Sequence, residues 1–135
     1  MEHPLFLPMF VHMIWTVVLY VVLTLLRAPA VWGVGRRKHY ENTLTDIEKR
    51  TSANLSNQFE WPMFFYVIGV IVLASEVVNS VWYVGLAWVF VAGRIVHSGV
   101  QILTTNIRLR GLVFSVNFSA VLGMWLMYCV HYLNT

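Results

Sequence analysis

The chain has 135 residues, 59% of them hydrophobic and 11% charged, and nine Lys and Arg against six Asp and Glu give a formal charge of +3. That length fits one domain. The apolar fraction is too high and the charged fraction too low for a soluble fold, since a core this small could not bury so much apolar side chain. The modest positive charge is divided among segments separated by membrane crossings and is not a nucleic-acid signature.

Four apolar stretches of about the twenty residues needed to cross hydrocarbon follow in order: Leu7–Leu26, Phe59–Val78, Val81–Gln101 and Leu112–Tyr132. The first is expected to be a retained span and not a cleaved signal, because Met1-Glu2-His3-Pro4 carries no Lys or Arg and the apolar run is too long for a signal core. Pro29, Gly33 and Gly35 then form a natural stop for helix one. Residues 28–56 read as the one sizeable loop, polar from Arg36 onward, with Glu41, Asp46 and Glu48 offsetting part of its basic charge. From Thr45 there is no Gly or Pro until Pro62, so helix two is expected to begin outside the bilayer and run on through Pro62. Asn79-Ser80 leaves room only for a hairpin between spans two and three.

The fold class is therefore an all-α, integral membrane four-helix bundle. Trp82, Tyr83, Tyr128 and Tyr132 suit one interfacial belt and Trp61 the other. Gly85, Gly93 and Gly99 on span three would allow close helix approach. Cys129 is the single cysteine, so no internal disulfide can form, and it reads as a small buried apolar residue. Arg27, Arg36, Arg37, Lys38, Lys49 and Arg50 flank or fill the first connection and Arg108 and Arg110 the third, whereas the termini and the Asn79-Ser80 turn hold no Lys or Arg. This bias places both basic loops in the cytoplasm and both termini outside.

Two charges lie in or at the edge of the apolar helices: Glu60 opens span two and Arg94 interrupts span three. A charge at membrane depth costs several kcal/mol, so it tends to be paired and to mark a site. Folding the hairpin puts Arg94 about 6 Å deeper than Glu60, within reach of a long side chain, and an Arg94–Glu60 contact facing the interior is expected. A purely structural ion pair is the bland alternative. The polar residues around these two recur at helical spacing. Arg50, Asn54, Asn57 and Glu60 share one face of helix two; Arg94, His97, Gln101, Thr105 and Arg108 share one face of the next; Thr16, Tyr20, Thr24 and Arg27 do the same on helix one.

Taken singly, Thr16 and Thr24 read as bonding their own helix, His97 as an interior histidine, and Asn117 as interhelical glue. Taken together, the stripes point to one basic pocket on the cytoplasmic side, suited to a ligand with several carboxylates. No metal set exists, because His3, His12, His39, His97 and His131 are far apart in spacing and topology. No phosphate loop, dinucleotide fingerprint or nucleophile elbow occurs.

The segment Asn54-Leu55-Ser56-Asn57-Gln58-Phe59-Glu60-Trp61-Pro62-Met63-Phe64-Phe65-Tyr66 resembles the hallmark of the MAPEG superfamily, the membrane-associated proteins in eicosanoid and glutathione metabolism. Ala87-Trp88-Val89-Phe90-Val91-Ala92-Gly93-Arg94-Ile95-Val96-His97-Ser98 resembles its second hallmark and Asn106-Ile107-Arg108-Leu109-Arg110 a third. Span number and loop lengths agree over essentially the whole chain, which is most similar to the short bacterial type. The resemblance implies a homotrimer in a bacterial inner membrane, with glutathione as cosubstrate between neighbouring subunits and membrane lipid around it.

By the same resemblance, Asn57 and Glu60 match the family's glutathione-binding pair on helix two. Arg94 and His97 match its pair on helix three, and Arg27 matches an arginine ending helix one. Arg110 matches the arginine set against the thiol sulfur and is the expected catalytic residue. Gln101, Gly111 and Phe114 stand where eicosanoid-producing members carry hydroxyl side chains, and Ala53 where an arginine is frequent, which argues against a specific eicosanoid synthase.

Two activities follow as expectations. One is a glutathione transferase or peroxidase acting on small hydrophobic electrophiles or lipid hydroperoxides, a detoxifying role. The other is a non-catalytic protein that binds glutathione or lipid in the same pocket. A small multidrug-type transporter fits less well, because helix one has no mid-membrane glutamate and Arg94 would repel cations.

Overall fold

The computed structural model describes residues 4–33, 41–75 and 81–134, with the backbone alone at 41 and 42. Five helices follow in order: α1 Phe6–Trp32, α2 Glu41–Asn57, α3 Pro62–Ala74, α4 Val81–Leu103 and α5 Ile107–Leu133. α2 and α3 form one interrupted stretch, Thr43–Ala74, so four stretches are long and apolar enough to cross a membrane. Among the described residues there is no strand.

Three boundaries differ from the sequence-based expectation. α1 runs past the expected span end at Leu26 and through Pro29 to Trp32, and stops, as expected of Gly33, on that residue in the left-handed conformation (φ 65°, ψ 16°). Proline removes one N–H, so only the Leu25 carbonyl loses its helical donor, whereas the left-handed cap is the stronger stop. Helix two is interrupted at residues 58–61. Pro62 cannot donate to the Gln58 carbonyl and its ring crowds it, so it opens α3, where a missing N–H costs nothing. The chain crosses the interruption on three-residue bonds, Gln58 N–H to Leu55 O (3.0 Å), Phe59 N–H to Ser56 O (3.0 Å), Met63 N–H to Glu60 O (3.2 Å) and Phe64 N–H to Trp61 O (3.0 Å). Thirdly, α3 ends at Ala74. The expected hairpin at Asn79-Ser80, like Gly35 and the basic run Arg36-Arg37-Lys38, lies outside the described residues.

The interior is layered along the bundle. One apolar cluster joins Leu5 and Met9 of α1, Phe65, Ile68 and Val72 of α3, Phe90 and Val91 of α4, and Val121 and Met124 of α5. Phe65 and Phe90 stack at its centre with ring centroids 4.3 Å apart. A second, smaller cluster of Leu19, Leu23 and Leu55 packs with Trp15 and Ile102. Between the two, α1, α2, the turn after α2 and α4 bury His12, Asn54, Gln58, Arg94, His97, Ser98 and Gln101. The outer faces are apolar: Leu25, Val70, Leu112 and Val130, among others, are more than half exposed. So much exposed apolar surface suits lipid or a second copy of the chain and not water.

Of the residues expected at the interfacial belt, Trp82 and Tyr132 are exposed, whereas Tyr83 is buried in the larger cluster. Trp61 likewise packs inward, its ring stacked on Phe118 at 4.5 Å. Cys129 is exposed, not buried, because its face of α5 turns away from the other helices. Of the three glycines expected to permit close approach, only Gly93 does so, lying directly under the Asn117 side chain; Gly85 and Gly99 face open space. Asn117 is fully buried, yet neither atom of its amide has a hydrogen-bond partner among the described residues, so it fits by shape and is not a hydrogen-bonding bridge.

A Cβ at residue 93 would collide with the Asn117 amide. Gly93→Ala should therefore cost about 1–3 kcal/mol of stability in detergent, the usual range for overpacking. Asn117→Ala in the same chain should recover most of that loss, a non-additive result read from a double-mutant cycle of unfolding midpoints. Equal losses with and without Asn117 would show that the contact does not limit packing there.

Candidate functional site

Arg94 organises the polar layer. It is fully buried, at 1% exposure, on a face of α4 that also carries His97, Ser98 and Gln101. Its Nε–H donates to Gln58 Oε1 (3.1 Å) and its Nη2–H to the Asn57 carbonyl (3.0 Å). In an unbroken helix that carbonyl would take the N–H of residue 61; the interruption before Pro62 leaves it to the arginine. Gln58 in turn donates to Asn54 Oδ1 (3.3 Å) and Ser98 Oγ (3.2 Å). Asn54 and Asn57 both donate to Gln101 Oε1, at 2.9 and 3.3 Å. Trp15 Nε1–H reaches Ser98 Oγ (3.2 Å), and Ser98 Oγ–H bonds the Arg94 carbonyl (2.9 Å). The expected stripes thus interlock at Asn54, Asn57, Arg94 and Gln101, whereas Glu60 lies beyond the end of α2, Thr105 beyond the end of α4 and Arg108 on α5.

The expected Arg94–Glu60 pair does not form. Arg94 is interior, but Glu60 lies on the far side of the interruption, is exposed, and is not among its hydrogen-bond or ion-pair partners. The turn at 58–61 brings neutral oxygens nearer to the guanidinium than the carboxylate. Charge and carboxylate instead face one space. A cavity of about 710 Å³ is lined by Asn57, Glu60, Arg94, His97 and Arg110, with Phe59, Trp61, Met63, Phe64 and Phe114 among its apolar walls.

Arg110 reaches the cavity because Asn106 sets the register of α5. The Asn106 side chain accepts the Leu109 N–H (3.0 Å), and the Arg110 N–H closes the first turn on the Asn106 carbonyl (3.1 Å). Arg108, two residues earlier and on another face, lines neither this cavity nor its neighbour. The neighbour, about 340 Å³, is lined by Lys49, Arg50, Gln101, Thr104 and Asn106 and shares Ile107 and Arg110 with the first.

Five of the six residues singled out in the sequence, Asn57, Glu60, Arg94, His97 and Arg110, therefore meet at one cavity. Arg27 does not. Its Nε–H pairs with Glu48 (3.1 Å) and its Nη2–H with Ser52 (3.3 Å), holding α1 against α2. Thr16 and Thr24 of the same helix-one stripe are structural as expected, bonding the carbonyls of His12 and Tyr20. The described residues contain no cluster of ligands for a metal ion.

Sequence reasoning missed Gln58, Ser98, Trp61 and His12. Gln58 and Ser98 each stand four residues after a striped residue, Asn54 and Arg94, which was the available signal. Trp61 and His97 each present a buried ring nitrogen, Nε1 and Nδ1, with no hydrogen-bond partner among the described residues, in the wall of the main cavity. Buried polar atoms of this kind are normally satisfied, by solvent or ligand if not by protein. His12 bonds the Tyr66 hydroxyl through Nδ1 (2.8 Å).

The two arginines should differ sharply in structural weight. Arg94→Ala strands two buried acceptors and leaves a void, so about 2–4 kcal/mol of stability should be lost. Arg27→Ala removes a pair whose arginine is 49% exposed, and its loss should stay below about 1 kcal/mol. Unfolding midpoints in one detergent compare the two, and equal losses would contradict the assignment of Arg94 as the organiser of the layer.

No curated protein matches this chain, and no solved structure does. The profile of the MAPEG family matches residues 5–130, nearly the whole length. That match covers the interrupted helix, the buried arginine and the head of α5, and with the four membrane-compatible stretches it makes this an integral membrane protein that belongs to the MAPEG family.

Proposed function

We propose that the protein binds glutathione in the larger cavity and activates its thiol for reaction with hydrophobic electrophiles or lipid hydroperoxides. The observation that carries the reading is the convergence of Asn57 of α2, Glu60 of the turn after it, Arg94 of α4 and Arg110 of α5 on one space of about 710 Å³. That volume is ordinary for a small-molecule site. Glutathione has two carboxylates, one ammonium and a thiol, and the lining offers two guanidinium groups, one carboxylate and a side-chain amide. The unsatisfied nitrogens of Trp61 and His97 add two polar contacts for such a ligand.

In this reading Arg94 holds a carboxylate, Glu60 takes the ammonium, and Asn57 bonds the peptide backbone of the ligand. His97 orients the ligand and is not the base. Arg110 lies against the sulfur. A free thiol with a pKa of about 8.5 is mostly protonated at neutral pH, and a nearby guanidinium lowers that value and raises the nucleophilic thiolate fraction. The sulfur lone pair then forms a bond to the electrophilic atom while the leaving group departs with its electrons. Exposed Phe59, Met63, Phe64 and Phe114 form the rim, which suits entry of an apolar substrate from the bilayer.

The same cavity opens at the surface of a single chain, consistent with a homotrimer that completes the site at subunit boundaries, on the cytoplasmic side. Native mass spectrometry in mild detergent should give a trimer; a monomer or dimer would count against both the assembly and the shared site. Gly111 and Phe114 beside Arg110 carry no hydroxyl, and this favours, as a second reading, binding without turnover.

Replacement of Arg110 by Ala should leave glutathione affinity within a few-fold but raise the bound thiol pKa by about one to two units, seen as lost thiolate absorbance near neutral pH. Arg94→Ala should weaken binding first, by roughly tenfold or more, because it removes a ligand contact made before chemistry. Arg108→Ala should change little. If Arg108→Ala abolishes the thiolate and Arg110→Ala does not, the assignment at the head of α5 fails. Binding with no thiolate signal in the unmodified protein would select the non-catalytic reading.

A further inference from the structure

Gln58 is 3% exposed and sits inside the interruption between α2 and α3, where it makes three side-chain hydrogen bonds. The orientation of its amide follows from its neighbours. A guanidinium can only donate, so the Gln58 oxygen must face Arg94 Nε. Its NH2 must then face acceptors, and it finds Asn54 Oδ1 and Ser98 Oγ. Asn54 is fixed in the same sense, because its own NH2 is used on Gln101 Oε1 at 2.9 Å. The amide oxygens of Gln58, Asn54 and Gln101 thus each face a donor.

The Nε–H and one Nη2–H of an arginine lie parallel along one edge of the guanidinium. Gln58 Oε1 and the Asn57 carbonyl together take that edge. The opposite edge, shared by Nη1 and Nη2, is the part left for an anion, and Arg94 lines the main cavity. Both groups that hold the arginine are neutral. A carboxylate in place of Gln58 would hold the same edge at similar length but would also compensate the charge.

We infer that Gln58 is the positioning residue that fixes Arg94 toward the cavity without a contacting carboxylate, which leaves the guanidinium free to pair with an anionic group of the ligand. The hold itself is a property of the fold; its consequence for affinity rests on the proposed glutathione reading. A carboxylate at 58 turns the site's anion-binding cation into one half of an internal ion pair. Glu60, exposed and lining the same cavity, attracts Arg94 through space but makes no ion pair with it, so the guanidinium edge toward the cavity has no contacting carboxylate.

The test uses the full-length protein in lipid nanodiscs, labelled with 15N-arginine, with Gln58→Glu and Gln58→Met compared with the unmodified chain. The Arg94 Nε–H signal, assigned by its loss in Arg94→Lys, should be protected from exchange in the unmodified protein and in Gln58→Glu, and unprotected in Gln58→Met. Glutathione affinity by calorimetry should fall at least tenfold in Gln58→Glu although its unfolding midpoint is kept or raised. A residue that acted only on stability would make affinity follow the midpoint. Full affinity in Gln58→Glu overturns the inference, as does an unprotected Nε–H in the unmodified chain. If the unmodified protein shows a protected Nε–H yet binds no glutathione, the proposed ligand falls and the Gln58 hold on Arg94 stands.

Discussion

A guanidinium buried among helices that cross a membrane must be met by acceptors, and the bundle depends on how Arg94 is met. Continuous membrane helices offer none, because every backbone carbonyl is already bonded within its own helix. Pro62 supplies the exception: it ends the ladder of helix two, and the chain recrosses residues 58–61 on shorter-range bonds. The Asn57 carbonyl released by that change receives Arg94. The irregular backbone is therefore not a defect of the second span but the means by which a charge is kept inside it.

The rest of the polar layer follows from this one requirement. Gln58, next along the turn, holds the remaining nitrogen of the same edge, and its amide needs Asn54 and Ser98 in return. Asn54 and Asn57 need Gln101. A partly satisfied network in a low-dielectric interior is costlier than none, so each member is tied to the next. The apolar clusters on either side, one around Phe65 and Phe90 and one around Leu19, Leu23 and Leu55, close the layer from both ends. The layer remains open toward the cavity, where Glu60 and Arg110 complete the charged lining from the far side of the turn and from the head of α5.

Much of this was legible in the chain itself. Spacings of three and four along helices two and three put Asn54, Asn57, Arg94, His97 and Gln101 on facing stripes, and those stripes meet. The family was legible from the three hallmark segments, and the family profile agrees over residues 5–130. What spacing could not supply was the phase shift at residues 58–61. A helix continued through Pro62 puts Glu60 within contact of Arg94, whereas the tightened turn leaves it lining the same cavity without touching the guanidinium, and Gln58, four residues after Asn54, holds Arg94 instead. Burial on a lipid-facing bundle was equally hard to read, since an apolar residue such as Cys129 or Tyr83 suits the lipid face and the interior alike. The position of Arg27 depended on a partner, Glu48, twenty-one residues away on another helix, which no local pattern reveals.

The account is tested most directly by an experimental structure of the protein in lipid at saturating glutathione. It predicts the tripeptide in the cavity between the interrupted helix, α4 and the head of α5, with its sulfur beside Arg110 and a carboxylate on the outer edge of Arg94. Arg94 should keep Gln58 and the Asn57 carbonyl on its other edge. Glutathione seated elsewhere, or an Arg94 that swings away from the turn at residues 57–58 to reach it, would contradict the account.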